Sequence, residues 1–330
     1  MHKIVTVIAV VSILFSKSLF AQNNRSAVSL TGNDAATCTV PDPCRTFDVA
    51  ISKTNAGGEV IVLSSAGFGP FTINKSVSII SPPAYHAAMA PTSGDAITIN
   101  VDNALVVLRG LTLNGSLGGV NGITFTGAAT ASNTRLYVEN CVISGFSNNG
   151  VNFARNGTLF ISNTTIRQSG SDGILIDGSP ASSASIDHAL LERNLYGLVV
   201  ENAAVAIRDS VASANVSVAF WALASAAGAT ADLSADHCQA TGNNYGFYSG
   251  NGGGGTALLM VSNSLASSNT LYGVLANLNG TVRASNNTVS RNNIGFFQFG
   301  TGVFRSRGNN SVDGNTSMET FGVITTFGPI

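Results

Sequence analysis

The stretch Leu136–Gly150, LYVENCVISGFSNNG, is written several times over in this chain. It returns as LFISNTTIRQSGSDG at Leu159–Gly173 and as ASIDHALLERNLYG at Ala184–Gly197, and further copies follow as far as Gly295. The glycine that closes each copy recurs every 22 to 27 residues, and one copy has alanine in its place. A repeat of this length is typical of a solenoid, in which each unit stacks on the next.

Apolar residues alternate within each copy. In the second copy, Leu159 and Ile161 are followed by Ile166, Ile174 and Ile176. Period-2 runs predict short half-buried strands, and the Asn, Ser and Gly clusters between them predict turns. The connections are too short for crossover helices, so each coil can pair only with the next coil. The sequence therefore predicts an all-β parallel β-helix of roughly nine to eleven coils of 22–28 residues.

Two positions recur once in each coil. One is the closing glycine, which we expect either at positive φ or where two backbones approach closely. The other is Asn or a substitute for it, which alternation assigns to the inside of a bend, where stacked amides can bond from coil to coil. Its members are Asn140, Asn163, His188, Asp209, His237, Asn263, Asn286 and Asn309.

Two stretches carry a resemblance to a known family. PCRTFDVAISKTNAGGEVIVL at Pro43–Leu63 and VENCVISGFSNNG at Val138–Gly150 resemble secreted bacterial β-helix repeat proteins of the pectin-lyase-like superfamily. The resemblance covers about residues 36–315 and implies a right-handed parallel β-helix. It does not choose among the lyases, hydrolases, epimerases and non-catalytic binding proteins that share this fold. Pectin hydrolases of the fold carry Asn-Thr-Asp, Asp-Asp, Gly-His-Gly and Arg-Ile-Lys elements, none of which occurs in this sequence.

The N-terminal part of the chain indicates export. Met1–Ala21 has the pattern of a secretory signal peptide, with Lys3 before an apolar core. We therefore expect a secreted or periplasmic protein. In residues 22–45, the spacing of Cys38 and Cys44 suits a disulfide in an oxidising compartment.

The remaining segments follow from the same patterns. Residues 46–58 are expected to form a short helix that begins at the N-cap Thr46 and covers the open end of the solenoid. Residues 59–315 are expected to form the β-helix. Residues 316–330 are apolar and are expected to form a cap or to pack along the last coils.

Composition limits the classes of partner. The chain has 330 residues, of which 44% are hydrophobic and 10% charged, and its net charge is −1. This balance gives no reason to expect nucleic acid as a partner. No stretch after the signal peptide predicts an integral membrane segment. Metal-type Cys/His spacing and phosphate-binding loops are missing, so we expect no metal and no cofactor.

The densest polar cluster spans three successive coils. Alignment on the repeat stacks one column of charges and, beside it, a column of His and Asp at about 4.8 Å per coil. One interpretation is a metal site or an acid/base site, and the other is an outward ion ladder beside residues that replace Asn. We favour the structural interpretation, because alternation turns the second column inward. The catalytic candidates are Asp187, His188, Glu192, Asp209, Asp236 and His237, and Arg208 lies among them.

An apolar column follows the closing glycines. The residues one and three places after each glycine point inward, so the residue between them points out, where a polar side chain is expected. An outward apolar stripe of this size marks an interaction site, unless the C-terminal tail or a bulge covers it. The predicted binding residues are Leu175, Val199, Trp221, Tyr248, Leu275 and Phe297. Tyr196, Tyr245 and Tyr272, one place before their glycines, share the inward parity and are expected to wedge into the turn.

The function predicted from these features is an exported, non-catalytic β-helix protein whose rigid surface binds a polysaccharide or a protein, with Trp221 and Tyr248 stacking on sugar rings. One alternative is a polysaccharide lyase or glycoside hydrolase acting on a uronate-rich polymer. It requires Asp187, Glu192, Asp209 and Asp236 to converge in a groove. The other alternative is a structural or assembly component.

Overall fold

The computed structural model describes residues 22–126, 133–179, 181–250 and 253–328. The segment predicted to be a signal peptide, Met1–Ala21, lies outside the described residues. Within the described ranges, no helix combines the length and the apolar character needed to cross a membrane.

The described residues form a right-handed parallel β-helix with three parallel sheets, and successive coils add one strand to each sheet. The strands of sheet 1 follow the period-2 pattern of the sequence, with alternate residues buried. Sheet 1 has 13 strands: Asn23–Val28, Thr54–Val62, Val77–Ile80, Leu105–Arg109, Arg135–Glu139, Thr158–Ser162, Ser183–Asp187, Ala204–Arg208, Thr230–Asp236, Thr256–Ser262, Gly280–Ser285, Val303–Ser306 and Ile324–Thr326.

The other two sheets have 11 strands each. Sheet 2 contains Phe71–Ile73, Ile97–Ile99, Ile123–Phe125, Val151–Phe153, Asp172–Asp177, Tyr196–Glu201, Val218–Leu223, Tyr245–Ser249, Tyr272–Asn277, Ile294–Phe299 and Met318–Phe321. Sheet 3 contains Ala66–Gly67, Ala87–Met89, Leu111–Asn114, Val142–Ser144, Thr165–Arg167, Leu190–Glu192, Val211–Ser213, Gln239–Thr241, Leu265–Ser267, Thr288–Ser290 and Ser311–Val312.

A helix, Phe47–Lys53, covers the N-terminal end of the core. It buries its apolar side against the first coils, and the hydroxyl of the N-cap Thr46 accepts a hydrogen bond from the Val49 N–H. The helix is shorter than the predicted segment 46–58, because the strand Thr54–Val62 begins immediately after it. That strand must lie close to its neighbour: a Cβ on Gly58 would be 2.6 Å from the carbonyl oxygen of Asn24.

Both ends of the solenoid extend beyond the predicted bounds of 59 and 315. The N-terminal segment adds the strand Asn23–Val28 to sheet 1, and a disulfide joins Cys38 to Cys44 beside it. At the other end, Met318–Phe321 and Ile324–Thr326 continue sheets 2 and 1 as ordinary strands. The described part of the tail is therefore further coil and does not fold back along the rod.

One continuous apolar core runs through the described coils. Equivalent aromatic side chains stack from coil to coil inside it, as Phe125 does on Phe153 and Phe220 on Phe247, with ring centroids 5.0 and 5.1 Å apart. Cys141 and Cys238 are buried free thiols, and burial raises their pKa to about 11 and about 12. These two thiols therefore act as core residues and remain protonated at neutral pH.

The Asn column lies at a different place from the one predicted. Asn140, Asn163 and Asn263 have φ of 52°, 47° and 51°, and their side chains are exposed. The column is a series of left-handed corners, which Asn adopts more readily than most residues, so the assignment to the inside was wrong. A buried amide ladder does exist, at the corner before the closing glycine, and consists of Asn194, Asn215, Asn243, Asn269, Asn292 and Asn315.

The closing positions need glycine because a Cβ would not fit there, and not because the backbone has a left-handed φ. None of Gly173, Gly197, Gly246 and Gly273 has a left-handed φ. A Cβ on Gly246 would be 2.4 Å from the carbonyl oxygen of Gly273, in the coil above. Of the two reasons expected for these glycines, the structure selects the close approach of backbones.

Candidate functional site

The six predicted binding residues form one column on the outer face of sheet 2. The strand register pairs Leu175 with Val199, Val199 with Trp221 and Trp221 with Tyr248, and continues through Leu275 and Phe297. The tail strand adds Phe321 to the same column, paired with Phe297. We call this series of seven side chains the stripe. Because the described tail extends the stripe, it does not cover it.

The three tyrosines that precede the glycines also face outward, which corrects the prediction that they wedge into the turn. Tyr196 contacts Trp221, Tyr245 contacts Tyr248 and Tyr272 contacts Phe297, with ring centroids 5.4, 5.9 and 4.2 Å apart. The cause is a break in alternation at the glycine. The register skips this residue, so that Asp172 pairs with Tyr196 and the next pair is Ile174 with Leu198.

Four members of the stripe and the three tyrosines line a groove of about 420 Å³ that crosses several coils. Its aromatic lining comprises Tyr196, Trp221, Tyr245, Tyr248, Tyr272, Phe297 and Phe299. Ser217, Val218, Leu275 and Asn277 complete the lining. None of these eleven side chains is charged. We call this feature the aromatic groove.

The rings of the groove are held rigidly. Trp221 and Tyr248 are parallel to within 8°, with centroids 5.2 Å apart, and Tyr196 covers the other side of the indole. The indole Nε1 donates a hydrogen bond to the carbonyl oxygen of Gly250 at 3.1 Å. Parallel stacking along the rod turns the edges of Trp221 and Tyr248 towards the groove. A sugar ring therefore has little access to the indole face, in contrast to the predicted stacking on this residue.

Polar groups in the groove come mainly from tyrosine hydroxyls. The Asn277 Nδ2 donates to the Tyr248 hydroxyl at 3.4 Å, and burial raises the pKa of Tyr248 despite this bond. Burial, with the nearby Tyr245, also raises the pKa of Tyr272. Within the described ranges, the hydroxyls of Tyr196, Tyr245 and Tyr272 make no hydrogen bond, so each remains available as donor and acceptor.

Three carboxylates lie on the coil of Tyr196 and on the coil before it, at the N-terminal end of the groove, and none of them was predicted from the sequence. Asp172 pairs in register with Tyr196, and Asp177 pairs with Glu201 on the next coil. Burial raises the pKa of Asp172 to about 6; a bond from the Ser171 hydroxyl opposes the shift and the charge of Glu201 adds to it. Burial also raises the pKa of Asp177 and of Glu201. The missed signal was that Asp172 occupies the tyrosine position of its coil.

The predicted catalytic candidates on sheet 1 form a charged column with one Arg–Asp ion pair. Asp187, Arg208 and Asp236 stack in register, and Asp187 accepts a hydrogen bond from the Arg208 guanidinium at 3.0 Å. His188 and His237 each place Nδ1 within 2.8 Å of the preceding aspartate. Bonds from Ser262, and then from Asn263 and His237, lower the pKa of Asp236 to about 2, although burial opposes them.

The second column of this cluster faces solvent, not the core. His188, Asp209 and His237 have φ of 50°, 47° and 50° and are exposed at the left-handed corners described above. Ligand atoms of Asp187, His188 and Asp209 lie within 4.8 Å of one another. The Arg208 guanidinium on the same Asp187 carboxylate opposes a cation there.

The four carboxylates of the enzyme hypothesis do not converge. Asp187 and Asp236 end strands of sheet 1 and Asp209 follows such a strand, whereas Glu192 ends a strand of sheet 3. Glu192 faces Arg167 at 3.8 Å. Asp187 and Glu192 therefore take part in ion pairs with Arg208 and Arg167, and the aromatic groove is left as the candidate site.

Comparison with known proteins supports the fold. A family profile described as "Right handed beta helix region" matches residues 92–235. No curated protein sequence matches the chain. Among solved structures, pectate lyase Pel9A shares 16% identity at a TM-score of 0.59, over 91% of this chain and 78% of its own.

Two further structures are similar. The A-module of mannuronan C-5 epimerase AlgE4 from Azotobacter vinelandii has 13% identity and a TM-score of 0.64, over 83% of this chain and 91% of its own. Alginate lyase from Paenibacillus sp. str. FPU-7 has 11% identity and a TM-score of 0.55, over 91% of this chain and 99% of its own. Identities this low show a shared fold, and function must be argued from the site.

Proposed function

Because the chain is a right-handed parallel β-helix repeat protein of the pectin-lyase-like fold, we propose that it binds a polysaccharide in the aromatic groove without cleaving it. The observation that carries the proposal is the groove itself: aromatic rings and free tyrosine hydroxyls repeat on adjacent coils of sheet 2. A groove that crosses coils along the rod suits an elongated polymer better than a small compact ligand, because each coil adds a similar set of contacts at a spacing of about 4.8 Å.

The chemistry of the groove fits sugar units. Ring edges can pack against C–H groups, and the hydroxyls of Tyr196, Tyr245 and Tyr272 can exchange hydrogen bonds with sugar hydroxyls. The rigid stacking of Trp221 on Tyr248 lowers the entropic cost of binding, since these rings are already ordered. The three similar structures, named for pectate, mannuronan and alginate, support a polysaccharide as the ligand class.

Export is part of the proposal. The signal-peptide pattern of Met1–Ala21 and the disulfide between Cys38 and Cys44 both favour an oxidising, extracytoplasmic location, where polysaccharides are encountered. The low charge of the chain is also compatible with a rod that meets uncharged surfaces.

The test is a binding panel of polysaccharides with the purified exported chain and two tyrosine variants. Tyr245 contacts both Tyr248 and Tyr272 in the groove, so Tyr245→Ala should weaken binding at least tenfold, or about 1.4 kcal/mol. Tyr137→Ala is the matched control, because Tyr137 stacks on Phe160 on the outer face of sheet 1. If both variants lose affinity equally, or if neither loses affinity, the polysaccharide does not bind in the aromatic groove.

A second candidate function is cleavage of the bound polymer, by hydrolysis or by elimination. The observation that favours it is Asp172, a buried carboxyl group beside the groove whose pKa is about 6, within the range of a general acid. Reducing and unsaturated ends are therefore measured in the same panel. New ends that disappear in Asp172→Asn would make the protein an enzyme, whereas binding without new ends supports the primary proposal.

A further inference from the structure

We infer that the groove selects neutral polysaccharides and rejects polymers of uronic acids, an inference that rests on the proposed function and names its ligand class. The similar solved structures named for pectate, mannuronan and alginate make the opposite expectation natural. The charge of the bound polymer would therefore distinguish this chain from proteins with which it shares only the fold.

The first observation is the charge of the lining. The side chains that enclose the groove are aromatic, aliphatic, hydroxyl or amide groups, and no Lys or Arg is among them. A uronate carries one carboxylate per sugar, and proteins hold carboxylates with Arg, Lys or a bound cation. Tyrosine hydroxyls and apolar rings can desolvate a neutral sugar, but they leave a carboxylate without a counter-charge.

The second observation is the sign of the charges that border the groove. Asp172 pairs in register with the groove tyrosine Tyr196, so the two lie on adjacent coils. Glu201 lies two places after Val199 on the same strand and pairs with Leu223, two places after Trp221. Asp172 thus lies about one coil spacing from a groove residue, and Glu201 lies one coil spacing and two residues along the strand from Trp221. An anionic polymer threaded along the groove would bring its own carboxylates next to these.

The third observation is that these carboxylates are poorly solvated. Asp172 is 7% exposed, and Asp177 and Glu201 are half-buried. Charges in such surroundings are screened less than charges in water, so they repel a second anion more strongly. Arg155 offsets part of the charge of Asp177, but it lies one coil below Asp177, farther from the groove. Within the described part of the chain, Arg155 is the only cation among the charges that act on these three carboxylates, so negative charge prevails beside this end of the groove.

The test compares matched polymers at pH 7 and one ionic strength. Polygalacturonate and its methyl-esterified form share a backbone and differ in charge. Glucan, xylan and galactomannan are added as neutral polymers, and alginate is added as a second uronate polymer. We expect the tightest neutral polymer to bind at least tenfold more tightly than either uronate polymer, and the methyl ester to bind more tightly than polygalacturonate.

A double variant tests whether the carboxylates of Asp177 and Glu201 cause the selectivity against uronate polymers. Asp177→Asn combined with Glu201→Gln should raise the affinity for polygalacturonate at least threefold, whereas Asp232→Asn with Asp313→Asn, which removes two exposed carboxylates elsewhere, should not. Melting temperatures establish that both double variants are folded. Equal or tighter binding of a uronate polymer by the native chain would overturn the inference while leaving the proposed function intact. If no polymer binds, the proposed function fails and the inference falls with it.

Discussion

Asp172 is the single residue with the clearest consequence for pH dependence. It is 7% exposed, and burial raises its pKa to about 6, against a value of about 4 in an unfolded chain. Between these values the folded protein binds more protons than the unfolded protein, so stability should fall as the pH rises from about 4 to about 6. We expect Asp172→Asn to raise the free energy of unfolding at pH 7 by up to about 3 kcal/mol, as urea denaturation at several pH values would measure.

The matched control for this prediction is Asp232→Asn, which removes an exposed carboxylate from sheet 1. It should leave the pH profile as it is in the native chain. Part of the decrease in the free energy of unfolding with rising pH will remain even in Asp172→Asn, because Asp177 and Glu201 also have raised pKa values. An unchanged slope in Asp172→Asn would contradict the assignment of the shift to burial of this group.

Residue-level prediction from the sequence succeeded where alternation is uninterrupted. Trp221 and Tyr248 lie in the middle of their strands, so period 2 gave their direction correctly. Tyr245 lies before a glycine that the register skips, and Asn140 lies at a left-handed corner, so alternation gave both the wrong direction. Asp172 was missed because its importance comes from neighbours on other coils, which a single repeat does not display.

At the scale of the coil, the closing glycine sets how closely neighbouring strands approach. A Cβ on Gly246 would lie 2.4 Å from the Gly273 carbonyl oxygen and 3.1 Å from the Asn269 Nδ2, both parts of the coil above. Backbone cannot yield at this point without disturbing the buried amide ladder, in which Asn243 donates to Asn269 at 3.0 Å. We therefore expect Gly246→Ala to lower the free energy of unfolding by about 1–3 kcal/mol, measured by urea denaturation.

Gly67→Ala serves as the control for the coil. Gly67 has no left-handed φ, and a Cβ there would meet no atom within 4 Å, so its substitution should change stability by less than about 0.5 kcal/mol. Equal unfolding midpoints for the two variants would mean that the coils can move apart without cost, contrary to the close approach seen at Gly246.

Coil-level features were predictable to the extent that they are local. The short helix was recognisable from its N-cap, Thr46, and it begins where expected. Its end was misplaced because the strand after it is defined by pairing with Asn23–Val28, a contact distant in sequence. The amide ladder was placed at the wrong corner for a similar reason: two Asn positions recur per coil, and only packing distinguishes the buried one.

For the whole molecule, the repeat alone predicted a parallel β-helix, because a short coil without crossover helices has no other way to bury its apolar residues. The two ends of the solenoid were harder to predict from the sequence. The apolar tail suggested a cap, yet Met318–Phe321 and Ile324–Thr326 simply continue the sheets, since an unpaired strand edge accepts another strand of suitable pattern.

The two ends of the rod should differ in local stability. The N-terminal end is covered by the helix Phe47–Lys53 and held by the disulfide Cys38–Cys44. At the other end, Ser311–Val312, Met318–Phe321 and Ile324–Thr326 are the last strands of their sheets in the described chain, and Val323 beside them is 69% exposed. In a solenoid an inner coil is stabilised by two neighbours, whereas these last described strands pair on one side, so we expect opening to begin with them.

Amide hydrogen exchange measures this difference directly. We expect peptides that cover residues 311–326 to exchange at least a hundredfold faster than peptides that cover the central strand Tyr245–Ser249. Peptides that cover Thr54–Val62, under the helix, should be protected nearly as well as the centre, because this strand pairs on both sides. Reduction of the disulfide should speed exchange in Thr54–Val62 and leave residues 311–326 unchanged. Equal protection at both ends before reduction would mean that the helix and the disulfide add nothing to the stability of the first coils, and that the rod opens from either end alike.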